Sequence, residues 1–252
     1  MECYEKIKDY FYQTTGIIFD SKEDIVQKKI EKFFRTYGYQ ECEKFQRDVR
    51  QNVHLLQQLI DFLTVSLSFF YREIEHFEFI AQNITPNSNT ILSIPCATGE
   101  EPYSLTIYLL EHGIDNFFID AVDISTQAIM EAKKGCYPEI KFRYMPKNLI
   151  EKYFTKNDNK YCIKEQIKEY THFFSKNIFH MNGYSKRYDF ILCRNLFIYF
   201  DQKKKLEALH ILEKMLKRGG YLIIGKTDYI DGNIASMKKI EYKHLKIFQK
   251  EE

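Results

Sequence analysis

The chain of 252 residues is 44% hydrophobic and 16% aromatic, enough to bury a core in one large domain or in a medium domain with a small helical one. Its 37 basic and 35 acidic residues leave a formal net charge of +2, which argues against a nucleic-acid-binding protein held by bulk charge. Because no run of about 18 apolar residues occurs and the N-terminus lacks a signal-peptide pattern, we expect no membrane insertion.

Residues 1–65 carry a helical pattern. A segment at 22–38 follows Ser21, which is spaced from Asp24 as in a capping box, and it stops at Gly38. Apolar residues recur along it with a helical period: Ile25, Ile30, Phe33 and Phe34. Two more helical stretches follow, YQECEKFQRDVRQ and VHLLQQLIDFLTV. The sequence therefore predicts a small all-helical N-terminal domain.

After residue 88, strand-like and helix-like segments alternate. The strand-like segments are TILSIP (90–95), FFIDAVDIS (117–125), YDFILCRN (188–195) and GGYLIIGKTD (219–228). The helix-like segments are EEPYSLTIYLLEHG (100–113), TQAIMEAKKG (126–135) and QKKKLEALHILEKMLKRG (202–219). This alternation predicts a mainly parallel sheet with helices on both faces, in which ligands bind beyond the carboxyl ends of the strands.

The turn SIPCATGEEPYSL (93–105) joins the first strand to its helix. A dinucleotide fingerprint, G-x-G-x-x-G, would be glycine-rich there, but this turn keeps only Gly99 and adds Glu100 and Glu101, which would repel phosphates. Asp123 ends the next strand, where a carboxylate can accept hydrogen bonds from both ribose hydroxyls. The pattern favours a cationic nucleoside without phosphates, such as S-adenosylmethionine. For Glu100 the alternative is an ordinary first-turn acid beside Pro102.

Four stretches, in order, resemble the CheR family of chemotaxis-receptor glutamate methyltransferases: SLSFFYR (66–72), PCATGEEPYS (95–104), AVDISTQAIMEAKKGCY (121–137) and YDFILCRNLFIYFD (188–201). The resemblance covers nearly the whole chain. It implies a helical N-terminal domain (1–65), a linker and the start of the catalytic domain (66–88), and an α/β, class I (Rossmann-like) S-adenosylmethionine methyltransferase domain (89–252). It also implies a small antiparallel β-subdomain inserted at about 153–176.

The same resemblance implies which residues form the site, with no metal among them. The implied cofactor contacts are Ser66, Ser68, Arg72, Glu101, Asp123, Asn177, Ile178, Arg194 and Asn195. Arg72 and Tyr199 are the implied catalytic pair, with Arg72 steering the acceptor carboxylate and Tyr199 orienting the attacking oxygen or closing the site. Alternatively, Tyr199 is a core tyrosine at the edge between a strand and a helix. The two serines replace the family's asparagine and threonine, so Ser66 loses the reach of an amide.

The implied reaction transfers a methyl group from S-adenosylmethionine to glutamate side chains in the cytoplasmic helical bundle of chemotaxis receptors, forming methyl esters for sensory adaptation. The product from the cofactor is S-adenosylhomocysteine. Because a glutamate with a pKa of about 4.3 is already ionised near neutrality, the attack needs no general base, and the enzyme mainly positions two reactants. We expect a monomeric cytoplasmic enzyme. Since none of the six cysteines forms a C-x-x-C pair, we expect free thiols.

Two departures from the family pattern stand out. The family's G-H-S-E is replaced by GKTD (225–228), which puts Lys226 in place of a histidine. Residues 155–174 contain no glycine, whereas relatives that dock a receptor pentapeptide carry a glycine-bearing loop there. The segments KYCIK (160–164) and EYTHFF (169–174) predict the β-subdomain, with a tight turn near Asp158. We therefore expect no peptide tether.

A basic face on the second helix is a candidate docking surface for an acidic receptor bundle: Lys22, Lys28, Lys29, Lys32 and Arg35. It could equally be an ordinary solvated face, because Glu23, Asp24 and Glu31 interleave. Three other functions remain open: a class I methyltransferase for another protein or a small molecule, a non-catalytic cofactor-sensing module, and a dinucleotide oxidoreductase. The four ordered motifs oppose the first, the intact Arg72 and Tyr199 oppose the second, and the two glutamates in the turn oppose the third.

Overall fold

The computed structural model describes residues 2–19, 23–87, 89–230 and 236–251. The N-terminal helices are α1 (Glu2–Thr15), α2 (Glu23–Tyr37), α3 (Cys42–Gln51) and α4 (Val53–Leu63). The predicted helical domain is present, and the Asn52 side chain caps α4 by accepting from the backbone N–H groups of His54 and Leu55. Ser21 and Lys22, which the capping box and the basic face included, lie outside the described residues.

The buried face of α2 differs by one position from the predicted one. Ile25 is 58% exposed, whereas its neighbour Val26 is 4% exposed and packs with Ile30 and Phe33. Val26, Ile30 and Phe33 are spaced i, i+4, i+7, and one residue of helix rotates a side chain by about 100°. The sequence pattern could not show which of two adjacent β-branched residues, Ile25 or Val26, faces the core. Because Val26 does, the apolar side chain of Ile25 lies on the surface.

The C-terminal domain alternates helices and strands. Its helices are α5 (Glu75–Asn83), α6 (Glu100–Glu111), α7 (Thr126–Lys134), α8 (Lys147–Tyr153), α9 (Glu165–Lys168) and α10 (Gln202–Met215). Its strands are β1 (Asn89–Ser93), β2 (Phe117–Asp123), β3 (Cys136–Pro138), β4 (Phe154–Asn157), β5 (Lys160–Ile163), β6 (Thr171–Ser175), β7 (Tyr188–Cys193), β8 (Leu216–Ile224), β9 (Met237–Ile240) and β10 (Lys246–Lys250). Short 3₁₀ turns span Glu139–Phe142, Ile178–Met181 and Phe197–Tyr199.

Within the described part of the chain, the main sheet has the order β6-β2-β1-β7-β8-β10-β9. The first five strands run parallel, and β10 pairs antiparallel with both β8 and β9. The chain winds from β1 outward to β2 on one side and later to β7 on the other. The carboxyl ends of these three strands therefore border the crevice where a ligand binds in open sheets of this kind. β8 begins at Leu216, so α10 ends earlier than predicted.

The small antiparallel sheet has the order β3-β5-β4. β4 and β5 form a hairpin through Asp158 and Asn159, with Asp158 at φ +51°, which agrees with the predicted tight turn. The assignment of EYTHFF to this sheet is wrong, because β6 pairs in parallel with β2 at the edge of the main sheet. A strand pattern in sequence shows that a segment pairs, but it does not show with which sheet.

The expectation of free thiols is also wrong for four of the six cysteines. Disulfides join Cys3 to Cys42, across α1 and α3, and Cys136 to Cys162, which face each other on β3 and β5. Cys96 and Cys193 are buried free thiols. The paired cysteines are 39 and 26 residues apart in sequence, and only the tertiary fold brings each pair together.

Candidate active site

The turn after β1 requires Gly99 for its shape. Gly99 has φ +93°, and a Cβ there would lie 2.9 Å from the Cβ of Ala132 on α7 and 3.1 Å from the Tyr137 hydroxyl. Ala97, two residues earlier, also has a positive φ, of +48°. The glycine therefore allows a sharp turn packed closely against α7, which is a different role from that of the glycines in a phosphate-binding loop.

The two glutamates of the turn have different roles. Glu100 is fully buried and accepts hydrogen bonds from the Thr98 hydroxyl (2.7 Å) and from Nζ of Lys141 (2.6 Å), so it anchors the turn. Glu101 accepts from the Ser93 hydroxyl at 2.8 Å and lines the cavity described below. Burial raises the pKa of Glu101 although neighbouring donors oppose it. The alternative of an ordinary structural acid therefore describes Glu100, and Glu101 is the acid available to a ligand.

Asp123 lies at the end of β2 and is almost fully buried. One carboxylate oxygen accepts from the backbone N–H of Ala97 and the other from that of Ser125, each at 2.9 Å. Each oxygen has a second lone pair, so the carboxylate can also accept two hydroxyl donors. Burial raises the pKa of Asp123 to about 6, while the backbone donors act to lower it. The group is ionised at neutral pH and is held rigidly in one orientation.

Arg194, at the end of β7, is clamped between two carboxylates. Its two terminal nitrogens each lie 2.7 Å from an acid, Nη1 from Glu101 and Nη2 from Glu73, and Nη2 also donates to the Arg72 carbonyl. Burial acts to raise the pKa of Glu73, but the charge and hydrogen bond of Arg194 lower it. Arg194 therefore fixes both acids in place, and of the two it is Glu101 that lines the cavity, where its carboxylate can contact a ligand cation. Glu73 is not among the site residues that the sequence predicts.

Arg72 lies between two residues in the left-handed region, Tyr71 at φ +58° and Glu73 at φ +57°. Two hydrogen bonds anchor the backbone just before Arg72: the Phe70 N–H donates to the Lys141 carbonyl and the Tyr71 N–H donates to the Ser104 hydroxyl, both at 2.9 Å. Such unusual backbone persists only when surrounding contacts impose it, and it is frequent at functional sites. Nε of Arg72 is 3.8 Å from Glu73, beyond hydrogen-bond distance, and its side chain lines the cavity.

The segment after β7 supplies Asn195 and Tyr199. Asn195 is left-handed, with φ +60°, and its amide donates to the Thr227 hydroxyl at 2.7 Å. The Tyr199 carbonyl accepts from the backbone N–H of Ile18, in the α1–α2 connection, at 2.9 Å. The Tyr199 ring packs partly against the main core and also lines the cavity. Burial raises the pKa of Tyr199, so its hydroxyl remains a neutral donor near pH 7.

These groups surround a cavity of about 480 Å³, within the usual range for small-molecule sites. The predicted site residues that line it are Ser66, Ser68, Arg72, Glu101, Asp123, Arg194, Asn195 and Tyr199. Asn177 and Ile178 are not among its lining residues. The Asn177 amide instead donates to the Thr14 carbonyl and accepts from the Phe179 N–H, and Ile178 is buried in the core. Their contact with adenine stays a prediction.

The helical domain closes one side of the cavity, which the sequence analysis did not foresee. Ile17, Ile18 and Phe19 line it from the α1–α2 connection. The α4 side chains of Gln57 and Asp61 hold the segment after β2: Gln57 donates to the Ile124 carbonyl at 2.9 Å, and Asp61 accepts from the Thr126 hydroxyl at 2.6 Å. The domain therefore contacts the chain next to Asp123. Connection residues carry no periodic pattern that could have indicated this.

The donor set fits S-adenosylmethionine. Asp123 can accept from ribose hydroxyls, the Glu101 carboxylate in the cavity wall suits a cationic ammonium, and the turn after β1 is not a glycine-rich phosphate-binding loop. Among the described residues, no group of three or more histidine, cysteine or acidic side chains could hold a metal ion. Likewise, no helix in the described part of the chain is both long and apolar enough to cross a membrane.

Comparison with known proteins shows the family to which the chain belongs. Residues 66–245 match the family model "CheR methyltransferase, SAM binding domain", and residues 2–64 match "CheR methyltransferase, all-alpha domain". A chemotaxis protein methyltransferase of Borreliella burgdorferi is 32% identical, covering 92% of this chain and 88% of the relative. Chemotaxis protein methyltransferase 2 of Vibrio cholerae is 31% identical, and the match covers 97% of this chain and 89% of the relative. A probable biofilm formation methyltransferase, WspC of Pseudomonas aeruginosa, is 31% identical over 69% of this chain and 44% of the relative. The chain belongs to the CheR methyltransferase family and is an S-adenosylmethionine-dependent methyltransferase.

Proposed function

We propose that this enzyme methylates glutamate side chains in the helical bundle of chemotaxis receptors, forming methyl esters, and that it does so as a cytoplasmic monomer without a peptide tether. The observation that carries the proposal is the position of Arg72. Its side chain lines the same cavity as Asp123 and Glu101, and its backbone lies between two left-handed residues. A cation next to a cofactor site is suited to an acceptor that arrives as a carboxylate.

The chain's own residues can provide binding and orientation. When bound, S-adenosylmethionine supplies an electrophilic methyl group on a sulfonium. Asp123 and Glu101 would hold the cofactor, and Arg72 would orient the acceptor carboxylate in line with that methyl. Tyr199, a neutral donor, would hydrogen-bond one acceptor oxygen and help exclude water. Because the acceptor is already an anion, no side chain needs to remove a proton.

The mouth of the cavity supports a protein acceptor rather than a small molecule. Val65, Leu67 and Ile198 line it and are 55%, 65% and 47% exposed, and the exposed Ile25 of α2 joins them. Isolated exposed apolar residues are common, but several around one opening indicate a contact surface. On α2, Lys28 and Lys32 lie three and seven residues after Ile25, on the same helical face, and would attract an acidic bundle.

The β4–β5 hairpin supports tether-free recognition. Its two-residue turn holds Asp158 and Asn159, and no glycine occurs at 155–174 to let the backbone curve closely around a bound peptide. Recognition would then depend on the bundle itself, since a tether acts by raising local substrate concentration.

The test is tritium transfer from labelled S-adenosylmethionine to purified receptor cytoplasmic fragments, followed by alkaline release of methanol. Carboxyl methyl esters release labelled methanol, whereas N-methyl groups do not. A receptor fragment with its acceptor glutamates changed to alanine is the control. Labelling that resists base, or that occurs only on small molecules, would refute the proposal. Transfer to receptors outside chemotaxis but not to chemotaxis receptors would favour the role named for the biofilm relative.

A further inference from the structure

The GKTD segment after β8, which departs from the family's G-H-S-E, contains a buried carboxylate that the reaction described above does not use. Asp228 is fully buried and is not among the residues lining the cavity. Its Oδ2 accepts from the backbone N–H groups of Asn195 (2.5 Å) and Gly225 (3.1 Å), and its Oδ1 accepts from that of Ile198 (3.3 Å). One side chain therefore ties the end of β8 to the segment that follows β7.

That segment carries functional side chains. Asn195 is left-handed, and the 3₁₀ turn Phe197–Tyr199 ends at the residue whose hydroxyl faces the acceptor in the proposed function. Thr227 strengthens the tie by accepting from the Asn195 amide. The end of β8 and the segment after β7 lie close together, because a Cβ on Gly225 would lie 2.7 Å from Oδ2 of Asp228 and 3.0 Å from the Asn195 nitrogen. The glycine and the acid of GKTD therefore act together.

Lys226 and Lys246 do not neutralise this carboxylate. Nζ of Lys226 lies 3.7 Å from Glu75, and Nζ of Lys246 donates to the carbonyls of Lys226 and Asp228. The Asp228 oxygens thus accept from backbone N–H groups. Hydrogen bonds of this kind, with a charged acceptor, are about twice as strong as neutral ones.

We propose that Asp228 is a positioning residue for methyl transfer, which acts through Asn195 and the Phe197–Tyr199 turn and touches neither cofactor nor acceptor. This inference rests on the proposed function for the choice of acceptor. It assigns a role to Asp228 and Thr227 of GKTD, the segment in which Lys226 replaces the family's histidine. Asn195 belongs to the tied segment, but Asp123 and Glu101 belong to other elements, so Asp228 should affect kcat far more than cofactor affinity.

The decisive variant is Asp228→Asn, which keeps the shape but replaces one acceptor oxygen with an NH₂ donor. In either orientation of the amide, its NH₂ group faces backbone N–H donors, either those of Asn195 and Gly225 or that of Ile198. We expect kcat to fall at least about 10-fold, with calorimetric affinity for S-adenosylhomocysteine within about 3-fold of wild type. Asp228→Glu, which restores both oxygens, should recover part of kcat.

Asp189→Asn is the matched control. Asp189 is also a structural carboxylate, accepting from the Thr90 N–H and from Lys217, but it lies at the opposite end of β7. It should lower thermal stability and leave kcat unchanged. If Asp228→Asn does not fold, Thr227→Val removes the exposed acceptor of the Asn195 amide and should also lower kcat.

Amide hydrogen exchange separates this inference from the proposed function. In Asp228→Asn the amides of Asn195 or Ile198 should exchange faster while those of β1 and β2 keep their protection, and this readout needs no receptor. Unchanged exchange, an unchanged kcat, or a kcat loss no larger than that of Asp189→Asn would overturn the inference. Absence of receptor methylation by wild type would instead count against the proposed function alone.

Discussion

The ribose assignment of Asp123 can be tested with the variant Asp123→Ala. The carboxylate is nearly fully buried, held by the N–H groups of Ala97 and Ser125, and has acceptor capacity for two further donors. Two hydrogen bonds to a charged acceptor, each contributing at least about 1.5 kcal/mol, correspond to roughly 150-fold in affinity. Because S-adenosylmethionine and S-adenosylhomocysteine share the ribose, both should weaken by a similar factor.

Titration calorimetry with both ligands measures this effect, and Asp120→Asn is the control. Asp120 is equally buried on the same strand but accepts from the Tyr188 hydroxyl, away from the cavity, so its loss should lower stability and spare affinity. If Asp123→Ala binds both ligands as wild type does, the assignment is wrong. A change for one ligand only would place Asp123 near the sulfur or methyl rather than the ribose.

The raised pKa of Asp123, about 6, adds a pH dependence. Ribose hydroxyls donate to the ionised form, so binding competes with protonation and affinity should fall as pH falls. At pH 5 about one site in eleven is ionised, which predicts roughly 10-fold weaker binding than at pH 8. For folding the direction is opposite. Because the pKa of Asp123 is raised from 3.8 to about 6, the ionised buried group lowers stability by an amount that grows between these pH values and is complete above pH 6, so lowering the pH stabilises the ligand-free protein. An affinity that is constant from pH 8 to pH 5 would contradict the argument.

Three further predictions concern the acceptor. Arg72→Ala should reduce methyl transfer at least about 100-fold, because a charged positioning contact is lost, while the thermal unfolding midpoint stays near that of wild type; near-normal turnover would remove Arg72 from the reacting centre. Leu67→Ser should raise KM for a receptor fragment several-fold and leave kcat unchanged. Leu206→Ser is the control, because Leu206 is also a solvent-exposed leucine but does not line the cavity, and it should change neither constant. A receptor pentapeptide containing tryptophan and phenylalanine should not bind at micromolar concentration, and truncating the receptor tail should leave methylation intact, as expected for a hairpin without glycine.

The local pattern of the sequence determined most of the architecture. Helical periodicity predicted the N-terminal domain, and the alternation of strands and helices predicted the parallel sheet. The turn with Gly99 and the strand ending in Asp123 predicted a phosphate-free nucleoside site. These features depend on neighbouring residues, whose spacing is visible in one dimension, and the ordered family motifs extended them to Arg72, Arg194 and Tyr199.

The tertiary structure decided what depends on contacts between distant segments. Glu100 points toward Lys141 because a later 3₁₀ turn packs there, whereas Glu101 is held by Ser93 and Arg194. The Arg194 clamp needs Glu73, which comes from a distant part of the chain. Similarly, β6 joins the main sheet because β2 presents a free edge to it. Pairing of the cysteines and closure of the cavity by the α1–α2 connection likewise arise only when the chain is folded. Side-chain direction and strand partners are set by packing across long sequence separations, about which local periodicity carries no information.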